Sequence, residues 1–156
     1  MTKLRVAVIG AGHLGRIHTR LLKTQTEVDL VAVADPSPAA QQQIIDEFGV
    51  KVVSDYRKLI EQIDAAVIAT PTRMHCKIAN ELLHAKIHTL IEKPLTDSVT
   101  DAHDLARTAE DNHCVVQVGH VEQFNPAIQS ALDLVGQPKF IQASRMSGYT
   151  FRSTDI

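Results

Sequence analysis

Two short stretches of this chain hold residue types that could do chemistry. Gly10-Ala11-Gly12-His13-Leu14-Gly15 fits GxGxxG, and HTLIEKPLTDS (residues 88–98) sets Lys93 and Pro94 directly behind an apolar run. Glycines at that spacing suit a dinucleotide. Gly10 permits a tight turn, Gly12 removes a Cβ from the path of a pyrophosphate, and Gly15 lets a helix pack close to a strand. The unpaired N–H groups of the helix's first turn, at His13, Leu14 and Gly15, would face the phosphates. Twenty residues past Gly15 stands Asp35, placed to accept hydrogen bonds from the adenosine ribose hydroxyls. Its charge repels a 2′-phosphate and no arginine follows in Pro36-Ser37, so NAD is expected over NADP. A glycine turn kept only for packing is the alternative. Lys93 likewise admits two readings: a solvated loop lysine, or an ammonium at the mouth of a site. Pro94 cannot donate to a ladder, so it ends the strand and biases Lys93 toward extended backbone; a cis Lys93–Pro94 bond is open to it.

The elements that must position these residues alternate along the chain. Valine- and isoleucine-rich runs at 4–9, 28–34, 50–53, 65–70, 88–92 and 115–119 read as strands covered on both faces. Amphipathic stretches at 13–25, 38–48, 55–62, 73–86 and 98–113 read as helices, the second with Ser37 as cap and Gly49 as stop, the fifth capped by Asp97 or Ser98. Such alternation predicts an α/β fold with a doubly wound parallel sheet, the Rossmann arrangement, and right-handed crossovers place helices on both faces. After residue 120 the rhythm changes. Residues 124–136 predict a helix from Pro126 to Gly136, and 139–151 predict a longer strand without a partner. The expected division is a nucleotide-binding domain over 1–120 and, over 121–156, the beginning of an α+β domain for substrate and oligomerisation, incomplete in this chain.

Composition excludes several classes. The 156 residues carry a net charge of −2, with 44% hydrophobic and 22% charged residues; neither nucleic acid nor a membrane surface is an expected partner. No run approaches the roughly 18 apolar residues of a membrane span, and a strand begins where a signal peptide would lie. Cys76 and Cys114 form no CxxC pair, which fits a reducing cytoplasm. Eight histidines invite a metal site, especially at His75-Cys76 and His113-Cys114, but no spacing matches a zinc pattern, and His84 and His88 straddle a helix end and a strand. Neither a GxSxG elbow nor a GxxxxGKS loop is present.

Several stretches together resemble the glucose-fructose oxidoreductase / inositol dehydrogenase / MocA family of sugar and cyclitol dehydrogenases. They are VAVIGAGHLGRIH (6–18), VAVADPSP (31–38), AAVIATPTRMH (65–75), TLIEKPL (89–95) and VGHVEQFNPAI (118–128). VGHVEQFNP looks most like branches acting on UDP-N-acetyl sugars. The resemblance implies an NAD(P)-dependent oxidoreductase acting on a secondary hydroxyl of a sugar, sugar nucleotide or cyclitol, homo-oligomeric at full length. It places Thr70, Pro71 and Thr72, at a position where asparagine is also common, near the cofactor's ribose and nicotinamide half. His75 matches the histidine of that motif, against a reading as a helix-surface residue. Glu92 and Lys93 match the EKP signature, with Glu92 structural or close to the cofactor. Lys93 would project over the nicotinamide, among the cofactor residues, and would be catalytic: its ammonium could hydrogen-bond the substrate hydroxyl, stabilise the developing alkoxide and, where buried, share in proton transfer. His120 and Glu122 lie just past the sixth strand, and His120 is counted among the cofactor residues. Gln123 stands where the family commonly has arginine, which removes a permanent bidentate donor.

The family's second domain carries an aspartate and a histidine commonly taken as the general base. Nothing in this sequence matches them, so no base is assigned. Two classes of function stay open. Either the sequence is an incomplete dehydrogenase, or it is a self-sufficient NAD-binding module with a sensing or interaction role. The lone, apolar 139–151 strand favours the first, because a finished module should cover or blunt it.

Overall fold

The computed structural model describes residues 2–142 together with Ser144 and Met146. Six strands, β1 (Leu4–Ile9), β2 (Val28–Ala34), β3 (Val52–Val53), β4 (Ala65–Ile68), β5 (His88–Ile91) and β6 (Val116–Val118), form one sheet in the order β3-β2-β1-β4-β5-β6. Every pairing is parallel. Helices α1 (His13–Thr24), α2 (Pro38–Phe48), α3 (Thr72–His84) and α4 (Val99–Asp111) connect them.

Alternation along each strand divides the core between two faces. Val6, Val8 and Val33 pack with Leu22 of α1 and with Ile44 and Phe48 of α2. Their neighbours Ala7, Ile9, Ala32 and Ala34 pack with Ile78, Leu82 and Leu83 of α3 and Leu105 of α4. Helices on both faces make the sheet doubly wound, and the alternating apolar strands explain why: either face left bare would expose a continuous apolar surface. The strand order reverses direction between β1 and β4, and an open α/β sheet binds ligands outside the carboxyl ends of its strands at such a point.

Local signals set most boundaries. Ser37 caps α2 by accepting a hydrogen bond from Ala40 N, and Gly49 closes it at φ +62°. Ser98, rather than Asp97, caps α4 through Asp101 N. The helix expected at 55–62 is only a 3₁₀ turn, Tyr56–Leu59. Tertiary contacts override propensity there: Tyr56 Oη and Arg57 Nε both donate to Glu81 Oε2 of α3, at 2.7 and 2.8 Å. One turn then suffices to reach Asp64, whose carboxylate accepts from Arg5 N, Nε and Nη2 at the foot of the sheet. The strand expected at 50–53 shrinks to Val52–Val53, since β3 meets only Val33 and Ala34 at the sheet's edge.

The chain divides into two compact units, residues 1–119 and 120–156. In the second, a 3₁₀ turn (Val121–Phe124) leads into α5 (Pro126–Val135), which Asn125 caps by accepting from Ala127 N. Of the strand expected at 139–151, residues 139–142 are not extended into a ladder, and most of the remainder lies outside the described residues. No helix among the described residues is long and apolar enough to cross a membrane.

Candidate functional site

At the end of β1 the chain turns at Gly10 with φ +100°, a conformation glycine adopts freely. A Cβ on Gly10 would stand 2.5 Å from Ala69 O, so the turns after β1 and β4 abut where the strand order reverses. Gly15, one helical turn on, would carry a Cβ 1.8 Å from Gly10 O. Only glycine lets α1 lie this close to β1. Gly12 differs. Nothing comes within 4 Å of where its Cβ would be. Packing does not require glycine there, and the open space beside an exposed backbone is a cradle that a methyl group would fill.

The helix that starts from this turn has no side-chain cap and no acidic residue in its first turn, whereas α2, α4 and α5 are each capped by a serine or asparagine side chain. His13 and Leu14 are exposed at its tip, above the buried Gly15. The uncapped N–H groups and the positive end of the helix dipole suit an anion. Asp35, just past β2, holds the turn in shape: Oδ2 accepts from Ala11 N and Oδ1 from Ser37 N, both at 2.8 Å. Its carboxylate is thereby fixed at the mouth of the crevice, with lone pairs to spare for further donors.

Thr70 and Pro71 follow β4, and Thr72 opens α3, which also lacks a side-chain cap. The Thr70 hydroxyl is buried and has no hydrogen-bond partner among the described residues; a polar atom left unpaired at the crevice is a position a ligand can satisfy. His75 is not the surface residue that its helical position allows. It is 1% exposed, with Nδ1 3.0 Å from Pro94 O and Nε2 2.8 Å from Thr70 O. Its ring ties the turn after β4 to the turn after β5, and both nitrogens are taken up by main chain.

The ladder continues past β5 through Glu92 N to Ile68 O, then breaks at a cis Lys93–Pro94 bond. Glu92 is 6% exposed and Lys93 exposed, so neighbouring side chains leave the strand on opposite sides. The burial attached above to proton transfer at Lys93 is therefore not provided by these residues. Glu92 Oε1 meets His18 Nε2 of α1 at 2.8 Å, and Oε2 accepts from Lys93 N at 3.3 Å. A Cβ on Gly119 would come 3.0 Å from Glu92 Oε2, so the glycine after β6 makes room for that carboxylate. Nothing in the sequence singles out His18 or Gly119 as a neighbour of Glu92. The spacing of His18, three residues past Gly15, places it only on the face of α1 that touches the sheet.

His120 opens the second unit, exposed, at the cap of its 3₁₀ turn. Among the described residues no group of three His, Cys, Asp or Glu side chains comes together to hold a metal ion. Burial pushes the thiols of Cys76 and Cys114 up.

Fold and site together define the first unit as a dinucleotide-binding Rossmann domain. Residues 4–120 match the Gfo/Idh/MocA oxidoreductase family, NAD-binding Rossmann fold, and the chain belongs to that family. It is 33% identical over 157 aligned residues to UDP-N-acetylglucosamine 3-dehydrogenase of Acidithiobacillus ferrooxidans, covering 100% of this chain and 50% of that protein. It is 32% identical to scyllo-inositol 2-dehydrogenase (NAD(+)) of Bacillus subtilis, over 83% of this chain and 39% of that protein. Among solved structures, GenD2 from gentamicin A biosynthesis, crystallised in complex with NAD, superposes with a TM-score of 0.83 at 29% identity, over 87% of this chain and 40% of that one. The chain thus spans about half the length of the curated relatives it matches.

Proposed function

We propose that this sequence forms the cofactor half of an NAD-dependent dehydrogenase that oxidises a secondary hydroxyl of a sugar, sugar nucleotide or cyclitol. The observation that carries the reading is the meeting, at one edge of one sheet, of the open cradle at Gly12, the fixed carboxylate of Asp35 and the lysine two residues past β5. The 33% identity to an enzyme named for a UDP-N-acetyl sugar, and the VGHVEQFNP stretch, support a sugar nucleotide within that range.

Gly10, Gly12 and the first-turn N–H groups of His13, Leu14 and Gly15 hold the pyrophosphate, and Asp35 takes the adenosine ribose hydroxyls. Its charge, with no arginine following, selects NAD over NADP. Thr70, Pro71 and Thr72 line the ribose and nicotinamide half, with the Thr70 hydroxyl free to pair. Glu92 borders this edge, His75 holds its two turns together, and His120 is counted among the cofactor residues on the family resemblance alone. Bound there, nicotinamide supplies the hydride acceptor. Lys93 presents an ammonium to the substrate oxygen; it orients the hydroxyl and stabilises negative charge as it develops there, an interaction stronger in the transition state than in the ground state. The full-length protein is homo-oligomeric in this reading.

Fluorescence titration with NADH and NADPH tests the proposal directly. NADH binding in the micromolar range, tighter than NADPH, is the expected result, and Lys93→Arg should leave it within about threefold because the exposed lysine faces substrate rather than phosphate. No saturable binding of either nucleotide would refute the reading.

A further inference from the structure

We propose that His18 is a positioning residue for Lys93, acting through Glu92. Lys93 and Glu92 are consecutive, and a free carboxylate is the natural partner of an adjacent ammonium. Oε2 of Glu92 already lies 3.3 Å from Lys93 N, so a side chain as long as lysine could fold back onto it. It does not: no ion pair to Lys93 is present among the described residues. His18 explains why. Its Nε2, on the helix that begins at the glycine turn, holds Oε1 at 2.8 Å, with the two side chains 17% and 7% exposed. The space above Gly119 receives the carboxylate on that side of the strand, while Lys93 stays on the exposed side. On the far side of Lys93, His75 Nδ1 meets Pro94 O at 3.0 Å. The residues on both sides of Lys93 are therefore anchored by histidines from different helices, and His75 is the other titratable side chain tied to this turn.

The consequence is chemical. An ammonium paired with Glu92 would have its charge compensated and be turned from the substrate oxygen. Sequestered by His18, the carboxylate stays within the fold and leaves Lys93 available. This inference rests on the reading of Lys93 as the residue that faces substrate, but its test requires neither substrate nor turnover.

The relative rate at which each lysine is acylated by trace acetic anhydride, read by peptide mass spectrometry on the full chain, measures the availability of Lys93. His18→Phe keeps ring volume and removes the donor; Lys93 should lose at least about threefold in reactivity as the released carboxylate captures it, with the other lysines unchanged. His18→Gln restores a donor and should recover the parent rate, as should His18→Phe combined with Glu92→Gln. A Lys93 rate unchanged in folded His18→Phe, or His18→Gln as slow as His18→Phe, overturns the proposal. Should His18→Phe fail to fold, Glu92→Gln alone decides. A rate within about twofold of the parent supports sequestration, and a rise of about tenfold shows that Glu92 already pairs with Lys93 and overturns it. Failure of NADH binding in the parent would instead refute the cofactor reading and leave this measurement untouched.

Discussion

The same substitution at Gly12 and at Gly15 should do opposite things, because the two glycines are required by different neighbours. In Gly15→Ala the new methyl would lie 1.8 Å from Gly10 O, and the contact must lengthen to at least 3.0 Å. The obstacle is backbone, so α1 has to move away from β1 as a body. Overpacking of this kind costs about 3 kcal/mol, the upper end of its usual range, since no side chain can rotate aside. For a chain of 156 residues that corresponds to a fall in Tm of about 6–12 °C. In Gly12→Ala nothing lies within 4 Å of the new atom, and the backbone at φ −67° and ψ −167° suits alanine. Restricting the unfolded chain gains about 0.4–1 kcal/mol, while alanine is a poorer cap than glycine by a similar amount. Stability should therefore change by less than about 1 kcal/mol. Cofactor binding should not survive as well. A methyl group between backbone and pyrophosphate removes one or two charge-assisted hydrogen bonds, about 3 kcal/mol, or roughly 100-fold in Kd. Urea unfolding and NADH fluorescence titration, each at a temperature below the Gly15→Ala midpoint, give the two numbers. The reasoning is refuted if Gly12→Ala binds NADH as tightly as the parent, or if it loses as much stability as Gly15→Ala.

Three further outcomes can be checked. Hydrogen bonds from the Arg5 side chain and backbone hold the Asp64 carboxyl down at about 2, against an ordinary 3.8; a depressed folded value means a stabilisation present above pH 4 and lost as pH falls from about 4 to 2. Asp64→Asn should accordingly melt below the parent at pH 7 and converge with it at the acid end, in a series of thermal scans. His75→Phe keeps the volume of a fully buried ring but strands the carbonyls of Thr70 and Pro94, and should lose about 2–4 kcal/mol in urea unfolding; a loss below 0.5 kcal/mol would show that the ring does not tie the two turns. Asp35→Ala should narrow the preference for NADH over NADPH by about tenfold in paired titrations, and should lower stability by about 1–3 kcal/mol because Ala11 N and Ser37 N lose their acceptor. A variant that keeps its preference would assign the discrimination elsewhere.

Much of the architecture is local and was readable in the sequence. Parallel strands buried on both faces need uninterrupted apolar residues, and helices that begin and end at serine and glycine announce their own bounds; α2, with Ser37 and Gly49, falls where the residues require. GxGxxG followed by an aspartate at the end of the second strand indicated a dinucleotide, because the roles of those glycines depend on a short stretch of backbone. Where the sequence misled, a distant partner was responsible. Residues 55–62 have helical character, but Glu81 draws Tyr56 and Arg57 aside and leaves one turn.

The site divides along the same line. By itself the sequence determined the glycine turn after the first strand, the aspartate after the second and the lysine just past the fifth. Only the tertiary structure decided what anchors the residues on either side of that lysine. His18 and Glu92 are separated by 74 positions and His75 and Pro94 by 19; no periodicity or spacing links them. They meet because the sheet order sets β1, β4 and β5 side by side, which brings α1 and α3 to the same edge. A glycine's task is set by its own backbone, but a buried carboxylate's task is set by whichever donor the fold brings to it.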